Sequence, residues 1–592
     1  MSGPFTSETY QSGDGNLNEP ITVGRLGQPV KIGGGTEWSS NATYTSLQSL
    51  PDASSFGIGS VQIGNITYIS NGVFWEPSVN YDIAIIICGQ SNADGYGVLD
   101  ANTEHSHSSV LMLDKGENFR VATEPLGVIS EGWIDNYPPT GNPGAPKHGC
   151  GLALARNLLY NSGIKPLLVP CAMGSTSIAQ WMPAADDKDL TTLFGAMNIR
   201  VAKTRKSTTP PVFVWVGHES SSALTTESLT AGIQGTEYID AWIALMKEVR
   251  ARYSDAIFLY AQLSAYTSSA GTATAHRITS EQQRKMEYAY GSLAIHAASN
   301  PEATIIGNNP LAYTFTGNTA PNSVTPSIDS VHSISTDGAL IGFVLNNGSS
   351  LQIGHTYRLN ITVSGTGLFT VYENITAKYS NQAVGVHSFD LLMTGASITV
   401  FNKSGAPSDL VFTNISVTHL PPIAQLNHYM IVTHDLPRNA GTDNAHLSQA
   451  GQKKLGERAA LAYRQFVLGE AVNGKGPRLL TTSPITKLTT TVTVKFDSTI
   501  VAPLAGEEHW SPTGAASNSN FRVYFDGVEK TITNVALKAG DATMIEITVP
   551  SVTGVVVVTY GDRVGAEAAY RKGVIYDADG MPAPMFGPII AV

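Results

Sequence analysis

The sequence predicts an α/β three-layer sandwich that is interrupted once, and flanked at both ends, by β structure. Three observations predict it. Five short, nearly continuous apolar runs, at residues 81–89, 165–173, 211–217, 256–265 and 428–436, have the pattern of strands buried on both faces of a parallel sheet. Stretches of helical period separate the first four runs and follow the fifth, as strand–helix alternation requires. Between the fourth and fifth runs the helical period vanishes over about 110 residues, and alternating strands replace it.

Each element follows from its local pattern. Residues 1–80 are rich in Ser, Gly, Asn and Thr, with alternating pieces Val61-Gln-Ile-Gly and Ile66-Thr-Tyr-Ile, and read as a small β module or an extended arm. Helices are expected at Cys150-Gly-Leu-Ala-Leu-Ala-Arg-Asn-Leu-Leu, around Tyr238, Trp242, Leu245 and Val249 at three-to-four spacing, and over 280–298 and 448–466. The interruption, residues 313–422, offers strands at 355–363, 368–375, 397–401 and 410–417, the size of an inserted β-sandwich. The last block, 471–592, has strands at 489–496, 521–525, 544–549 and 555–560. The α/β domain is therefore split into 81–312 and 423–470.

Composition narrows the function classes. The 592 residues carry 36 Lys plus Arg against 47 Asp plus Glu, a formal charge of −11, where a nucleic-acid binder would show a basic surplus. Charged residues are 14%, below the roughly 25% of an average soluble chain, while Gly is 57 and Pro 31. This is a turn-rich, β-heavy protein and not a helical array. Three cysteines are an odd number and too few for a disulfide framework, and Cys88 and Cys171 sit in apolar runs as small hydrophobes. The opening MSGPFTSETYQSGDG has neither the basic nor the apolar region of a signal peptide, and no run of about 20 apolar residues suggests a membrane span. No His-x-x-x-His or Cys-x-x-Cys cluster calls for a metal, and no cofactor is expected.

Ligands of open α/β sheets bind beyond the carboxyl ends of the strands. Those ends carry Gly89-Gln90-Ser91-Asn-Ala-Asp-Gly95, Gly174-Ser-Thr-Ser-Ile-Ala-Gln-Trp181, Gly217-His218-Glu219-Ser220 and Asp443-Asn-Ala-His446. A Ser, a His and an Asp from distant parts of the chain thus converge on one edge. Nucleophilic catalysis needs such a set, because a serine hydroxyl is weak until an imidazole takes its proton and a carboxylate fixes that imidazole's tautomer. Ser91 also suits a helix N-cap, and the two roles are compatible. Gly174 lets the backbone approach a bound carbonyl, so the amides of Ser91 and Gly174 are expected oxyanion donors. Trp181 walls a pocket or belongs to the core. The competing pairs are His434-Asp435 and His218-Glu219; His434 lies inside an apolar run and reads as a core or edge histidine, whereas Asp443 and His446 stand beyond the strand end in a loop that feeds a helix.

The ordered set Gly-Gln-Ser91-Asn, Ala172-Met-Gly174-Ser-Thr-Ser-Ile-x-x-Trp181, Trp215-x-x-x-Glu219-Ser and Asp443-x-x-His446 resembles the SGNH/GDSL hydrolases. Within these the sialate O-acetylesterase and acetylxylan esterase group is most similar. The resemblance covers about 81–312 and 423–470, and Val574-Ile-Tyr-Asp-Ala-Asp-Gly-Met-Pro-Ala-Pro-Met-Phe586 is similar to the closing segment of those esterases. It implies a flavodoxin-like parallel sheet, Ser91 as nucleophile, Asp443 and His446 completing a triad, Gly174 as oxyanion donor, and Gln90, Trp181 and Glu219 around the substrate. One block departs. The family's Trp-x-Gln-Gly-Glu reads Gly217-His218-Glu219 here, so the Gln donor is missing, and either His218 replaces it at the oxyanion or the hole works with two backbone amides. Losing one such donor costs about 10²–10³ in rate.

The appended modules set the biological expectation. Phe56-Gly-Ile-Gly-Ser-Val-Gln-Ile-Gly-Asn-Ile-Thr-Tyr-Ile-Ser-Asn-Gly-Val-Phe-Trp75 resembles a short β segment of bacteriophage tail spikes, and the insertion, ending Val411-Phe-Thr-Asn-Ile-Ser-Val-Thr-His-Leu, is similar to carbohydrate-binding jelly rolls. Extra sugar-binding faces raise residence on a polymer. The expectation is a virion tail spike acting outside the cell. It would be a homotrimer joined to other tail proteins through its N-terminal region, and would remove O-acetyl groups from a bacterial surface polysaccharide. The rivals are a bacterial carbohydrate O-acetylesterase outside any virion, a catalytically inactive glycan-binding adhesin, and a polysaccharide depolymerase.

Overall fold

The computed structural model describes residues 58–63, 66–71, 75–98, 106–114, 118–124, 126, 147–183, 189–206, 208–217, 227–230, 233–234, 237–263, 270–287, 304–306, 314–316, 322–327, 329–345, 351, 356–373, 376–393, 397–403, 405–420, 427–439, 446–480, 484–501, 520–552, 554–561 and 574–591. The chain divides into two units, Met1–Trp215 with Leu245–Ile257, and Val216–Ala244 with Phe258–Val592.

In the first unit, Ile58–Ile63, Ile66–Asn71 and Trp75–Pro77 form a three-stranded antiparallel sheet. The chain then enters the central sheet with β1 (Ile83–Gly89), β2 (Leu111–Leu113), β3 (Phe119–Val121), β4 (Pro166–Ala172) and β5 (Val212–Val216), in the spatial order β5-β1-β4-β2-β3. Every residue of β1 and of β5 is buried, which is why both read as unbroken apolar runs. β1 and β4 pair in parallel from Ile83↔Pro166 to Gly89↔Ala172, and β2 joins β4 in parallel. The expectation of a purely parallel sheet is corrected at the edge, where β3 runs antiparallel to β2 and makes the sheet mixed. The end of β2 and the start of β3 are tied together, since Asp114 N–H donates to Asn118 O at 3.0 Å and the Asp114 carboxylate accepts the Asn118 N–H at 2.9 Å. Strands of three residues are too short to display a period, so the sequence did not announce them.

Two helices of this unit pack on β4, α1 (Gly151–Ser162) and α2 (Leu193–Thr204). α1 buries Leu152, Leu154, Ala155 and Leu158 and stops at Gly163, whose φ of 70° lets its N–H reach back to Leu158 O and Leu159 O. α2, absent from the sequence-based expectation, begins where the Thr192 hydroxyl accepts the Gly195 N–H. The helix α3 (Glu237–Arg252), with residues in both units, buries Tyr238, Trp242, Leu245 and Val249, the four residues its period singles out.

In the second unit β6 (Ile257–Ala261) and β7 (His428–Ile431) pair in parallel, with Phe258 opposite His428 and Ala261 opposite Ile431. Of the helix expected over 280–298, residues 280–286 belong to α4 (Ala270–Met286), which starts ten residues earlier, and 288–298 lie outside the described residues. The polar sequence of α4, with Gln282, Gln283 and Glu281 buried, hides the start from any reading by apolar period. α5 (Gln449–Phe466) packs on β7 and opens at Ser448, whose hydroxyl accepts the Gly451 N–H.

Between α4 and β7 the chain forms two antiparallel sheets around one core. One comprises Ser323–Pro326, Ser330–Ser335, Ser408–Leu420, Thr356–Thr366 and Gly385–Leu392, with Thr304–Ile306 pairing on Ser408–Leu420. That last pairing begins upstream of residue 313. The other comprises Thr314–Thr316, Gly342–Leu345, Ile398–Asn402, Phe369–Glu373 and Thr376–Gln382. Phe343 and Phe369 meet Phe412 edge-on across the core, with ring centroids 5.3 and 5.8 Å apart. After α5 come two four-stranded antiparallel sheets, which share a core including Ile485, Val494, Val523, Ile545, Val558 and Tyr560. Among the described residues no helix is long and apolar enough to cross a membrane.

Candidate functional site

The carboxyl end of β1 turns sharply. Gly89 has a φ of 118°, a conformation that a Cβ would strain. Gln90 then opens a single helical turn, Ser91–Asp94, whose backbone closes on itself. Gln90 O accepts the N–H groups of Ala93 and Asp94 at 2.8 and 3.0 Å, and Ser91 O accepts that of Gly95 at 3.0 Å. Ser91 stands first in the turn, 8% exposed, with Gln90 and Asn92 buried beside it. Gly95 seats the turn against the backbone of Gly149, which leaves only 2.9 Å to where a Cβ would stand. This small residue at a positive φ is what allows the close approach.

The neighbouring strand end carries the second part of the site. Parallel pairing puts Gly89 beside Ala172, and Met173 N–H extends it by donating to Gly89 O at 2.9 Å. Ser91 and Gly174 therefore each lie two residues beyond matched positions of adjacent strands. The loop at Gly174 is held in a defined shape. Ser175 takes a φ of 61°, which costs a non-glycine residue about 1–2 kcal/mol. Four side chains hold it there. The Thr176 hydroxyl donates to Met173 O at 2.8 Å and accepts the indole N–H of Trp181 at 3.1 Å. Ser177 and Gln180 form a capping box, with Gln180 Oε1 accepting the Ser177 N–H at 2.8 Å.

Trp181 is 1% exposed and meets Trp215 edge-on at 5.0 Å between centroids. The expectation of a pocket wall is corrected. The ring is interior, and its indole nitrogen holds the loop that carries Gly174. Sequence reasoning missed Thr176, although Ser177-x-x-Gln180 was a legible signal for the turn that follows it. Trp181→Phe keeps an aromatic ring but removes the indole's second ring and its N–H donor, and is expected to cost about 1–3 kcal/mol of stability. Thermal unfolding of the two chains checks it.

None of the cysteines is a competing nucleophile. Cys88, Cys150 and Cys171 are all buried and free. Burial pushes the Cys150 thiol up to about 12 and the Cys171 thiol to about 11, the latter despite Arg200 beside it. Among the described residues no group of three His, Cys, Asp and Glu gathers as a metal centre would require. His218, Glu219 and Asp443 lie outside the described residues.

His446 belongs to the second unit. It is half-buried on the return arm of a hairpin that leaves β7, with its carbonyl accepting the Asn439 N–H at 3.0 Å and Leu447 bridged to Arg438. Two residues on, Ser448 ties the arm to Pro437 O and caps α5. The competing pair His434-Asp435 is structural. His434 Nε2 donates to Ala583 O at 2.8 Å, and burial keeps its imidazole below the ordinary histidine value. Asp435 is clamped by Arg458, with both carboxylate oxygens 2.6 Å from the guanidinium. Burial alone would raise the Asp435 pKa, but the charge and hydrogen bonds of Arg458 overcome it and hold it at about 2.

Residues 81–298 match the family described as carbohydrate esterase, sialic acid-specific acetylesterase. No curated protein matches the chain in sequence. Among solved structures, a carbohydrate acetylesterase from Xanthomonas citri is similar at 13% identity and a TM-score of 0.44, covering 88% of this chain and 84% of its own. A protein from Arabidopsis thaliana is 22% identical over 34% of this chain and 81% of its own, with a TM-score of 0.26. The CBM22-1 xylan-binding domain from Paenibacillus barcinonensis is 14% identical over 21% of this chain and 98% of its own, with a TM-score of 0.16. The family match reaches from the strand that leads into Ser91 past the end of α4, so this stretch of the chain is similar to the sialic acid-specific acetylesterase family of carbohydrate esterases.

Proposed function

We propose that this protein is a serine O-acetylesterase of the SGNH type that removes acetyl groups from a bacterial surface polysaccharide, as part of a phage tail spike. The observation that carries the chemistry is the register Gly89↔Ala172, which sets Ser91 and Gly174 at adjacent strand ends. The family of residues 81–298 supports the ester and the sugar. The resemblance of residues 56–75 to tail-spike segments, and the β modules around the esterase domain, support the virion setting and the homotrimer.

In the proposed reaction the Ser91 hydroxyl attacks the acetyl carbonyl while His446, oriented by Asp443, takes its proton. The oxyanion rests on the backbone amides of Ser91 and Gly174, with His218 in the place where related esterases have Gln. His446 returns the proton to the departing sugar oxygen, and water then releases acetate from the acetyl-serine. The β-sandwich within the domain holds the polymer, so that successive acetyl groups meet the same site.

The test is treatment of O-acetylated polysaccharide with the full chain, followed by acetate measurement and mass analysis of the glycan. Loss of acetyl mass at unchanged chain length supports the reading, whereas shortened chains favour a depolymerase. A second reading, a glycan-binding adhesin without turnover, is favoured by one observation, the Gly217-His218-Glu219 block that lacks the usual Gln. Binding without acetate release would establish it. Cross-linking and sedimentation of the purified chain read the trimer, and a monomer at micromolar concentration would count against the spike.

A further inference from the structure

The base of the hairpin that carries His446 is gripped from the far end of the chain. Residues 574–583 fold back on themselves, with Ala583 N–H donating to Ile575 O at 2.8 Å and Asp577 N–H to Met581 O at 3.0 Å. The two arms of this fold hold two consecutive residues. The Tyr576 hydroxyl donates to Asp435 Oδ2 at 3.1 Å, and Ala583 O accepts from His434. Just beyond, Gln262 pairs with Met585 through both its amide atoms, at 2.9 and 3.1 Å, and its own carbonyl accepts the Thr433 hydroxyl.

The opposite side of Asp435 faces α5. Arg458 takes both carboxylate oxygens and also donates to Val432 O at 2.8 Å. Asp435 therefore sits between two supports, one on the helix that begins just after His446 and one on the C-terminal strip. His446 lies between these anchors, fixed at one end by the Ser448 cap and at the other by the hairpin base. Arg458 alone would leave the carboxylate, and the hairpin with it, free to follow α5. Tyr576 supplies the second point that fixes its direction.

We propose that Tyr576 is a positioning residue that acts through Asp435 on His446, so that the C-terminal strip is a working part of the esterase and not only an appendage. The proposal rests on His446 being the general base. A catalytic group displaced by about 1 Å can lose roughly 10²-fold in rate, and one hydrogen bond of this kind restrains a smaller shift.

The experiment compares wild type, Tyr576→Phe and His446→Ala as full chains, using p-nitrophenyl acetate for kcat and KM. A fluorophosphonate titration of Ser91 counts competent sites, so that any misfolded fraction drops out of the rate. For Tyr576→Phe the expected result is a roughly tenfold lower kcat per titrated site with KM unchanged. An unchanged kcat per titrated site, or a loss confined to the number of sites, overturns the positioning role while His446→Ala remains inactive. Full activity of His446→Ala overturns the assignment of the base, and the positioning role falls with it.

Discussion

Ser91→Ala is expected to abolish acetate release while leaving the unfolding transitions of the chain in place. The turn that presents Ser91 is closed by backbone bonds from Gln90 and Ser91 to Ala93, Asp94 and Gly95, and an alanine makes the same bonds. What is lost is the oxygen that forms the acetyl-enzyme in the proposed reaction. In a well-dissected serine hydrolase, removing the nucleophile costs on the order of 10⁶ in kcat. His446→Ala should match it, and Asp443→Ala should cost less, about 10⁴, because the imidazole keeps some activity in the wrong tautomer. Acetate release from an acetylated polysaccharide checks the series, with circular dichroism to confirm folding. Wild-type release by the Ser91 variant would place the nucleophile elsewhere.

Arg458→Met is expected to destabilise the second unit by about 3–5 kcal/mol, the usual cost of stranding one member of a buried ion pair. Asp435 and Arg458 are both almost completely buried, so the carboxylate left behind has little solvent to turn to and, among the described residues, keeps the Tyr576 hydroxyl as its donor. The double variant Asp435→Leu with Arg458→Met should recover much of the loss, because an apolar pair of similar volume avoids the desolvation of both charges. Denaturant unfolding followed by tryptophan fluorescence compares the three chains, read by the first transition since a chain of several domains does not unfold in one step. If the double variant is no more stable than Arg458→Met, the ion pair is not what the site depends on.

The same residues fix the acid limb of stability. Asp435 is held at about 2 against its ordinary 3.8, so folding favours its charged form. That contribution is complete above the unfolded value and is lost as pH falls from about 4 through about 2, a difference worth about 2 kcal/mol. His434 works in the same direction from a higher pH. Folding keeps it neutral and lowers its pKa below 6.5, so the unfolded chain binds the extra proton and stability declines once pH drops below that value. Unfolding free energy measured from pH 8 to 3 should be flat at first, then fall in two stages. His434→Gln should remove the earlier stage.

Much of the fold was legible because its strands are apolar on both faces. β1, β4, β5, β6 and β7 all lie within the runs that the sequence displays, and Ser448 stands where the start of a helix was expected. The parts that were not legible share a cause. β2 and β3 have three residues each, and α4 buries glutamines and a glutamate whose partners are backbone and side chains from elsewhere in the chain. Gln283 caps Leu263 N–H through its amide oxygen, and Glu281 binds Arg284 and the Gly587 N–H. No hydropathy pattern encodes such contacts.

Sequence alone determined where Ser91 and Gly174 stand, because both follow directly from the ends of strands whose burial is written in consecutive residues. It placed the two His–Asp pairs near the same strand but did not name the partners of either. His434 already read as a core histidine, but only the tertiary structure named the groups that satisfy the pair, since Arg458, Tyr576 and Ala583 are 23, 141 and 149 positions away. The same separation made a core residue of Trp181, which rests on Trp215 and holds Thr176. A local pattern reports whether a side chain is apolar or charged. What a buried polar group binds depends on which distant segments the fold brings to it, and that follows from packing of the whole chain.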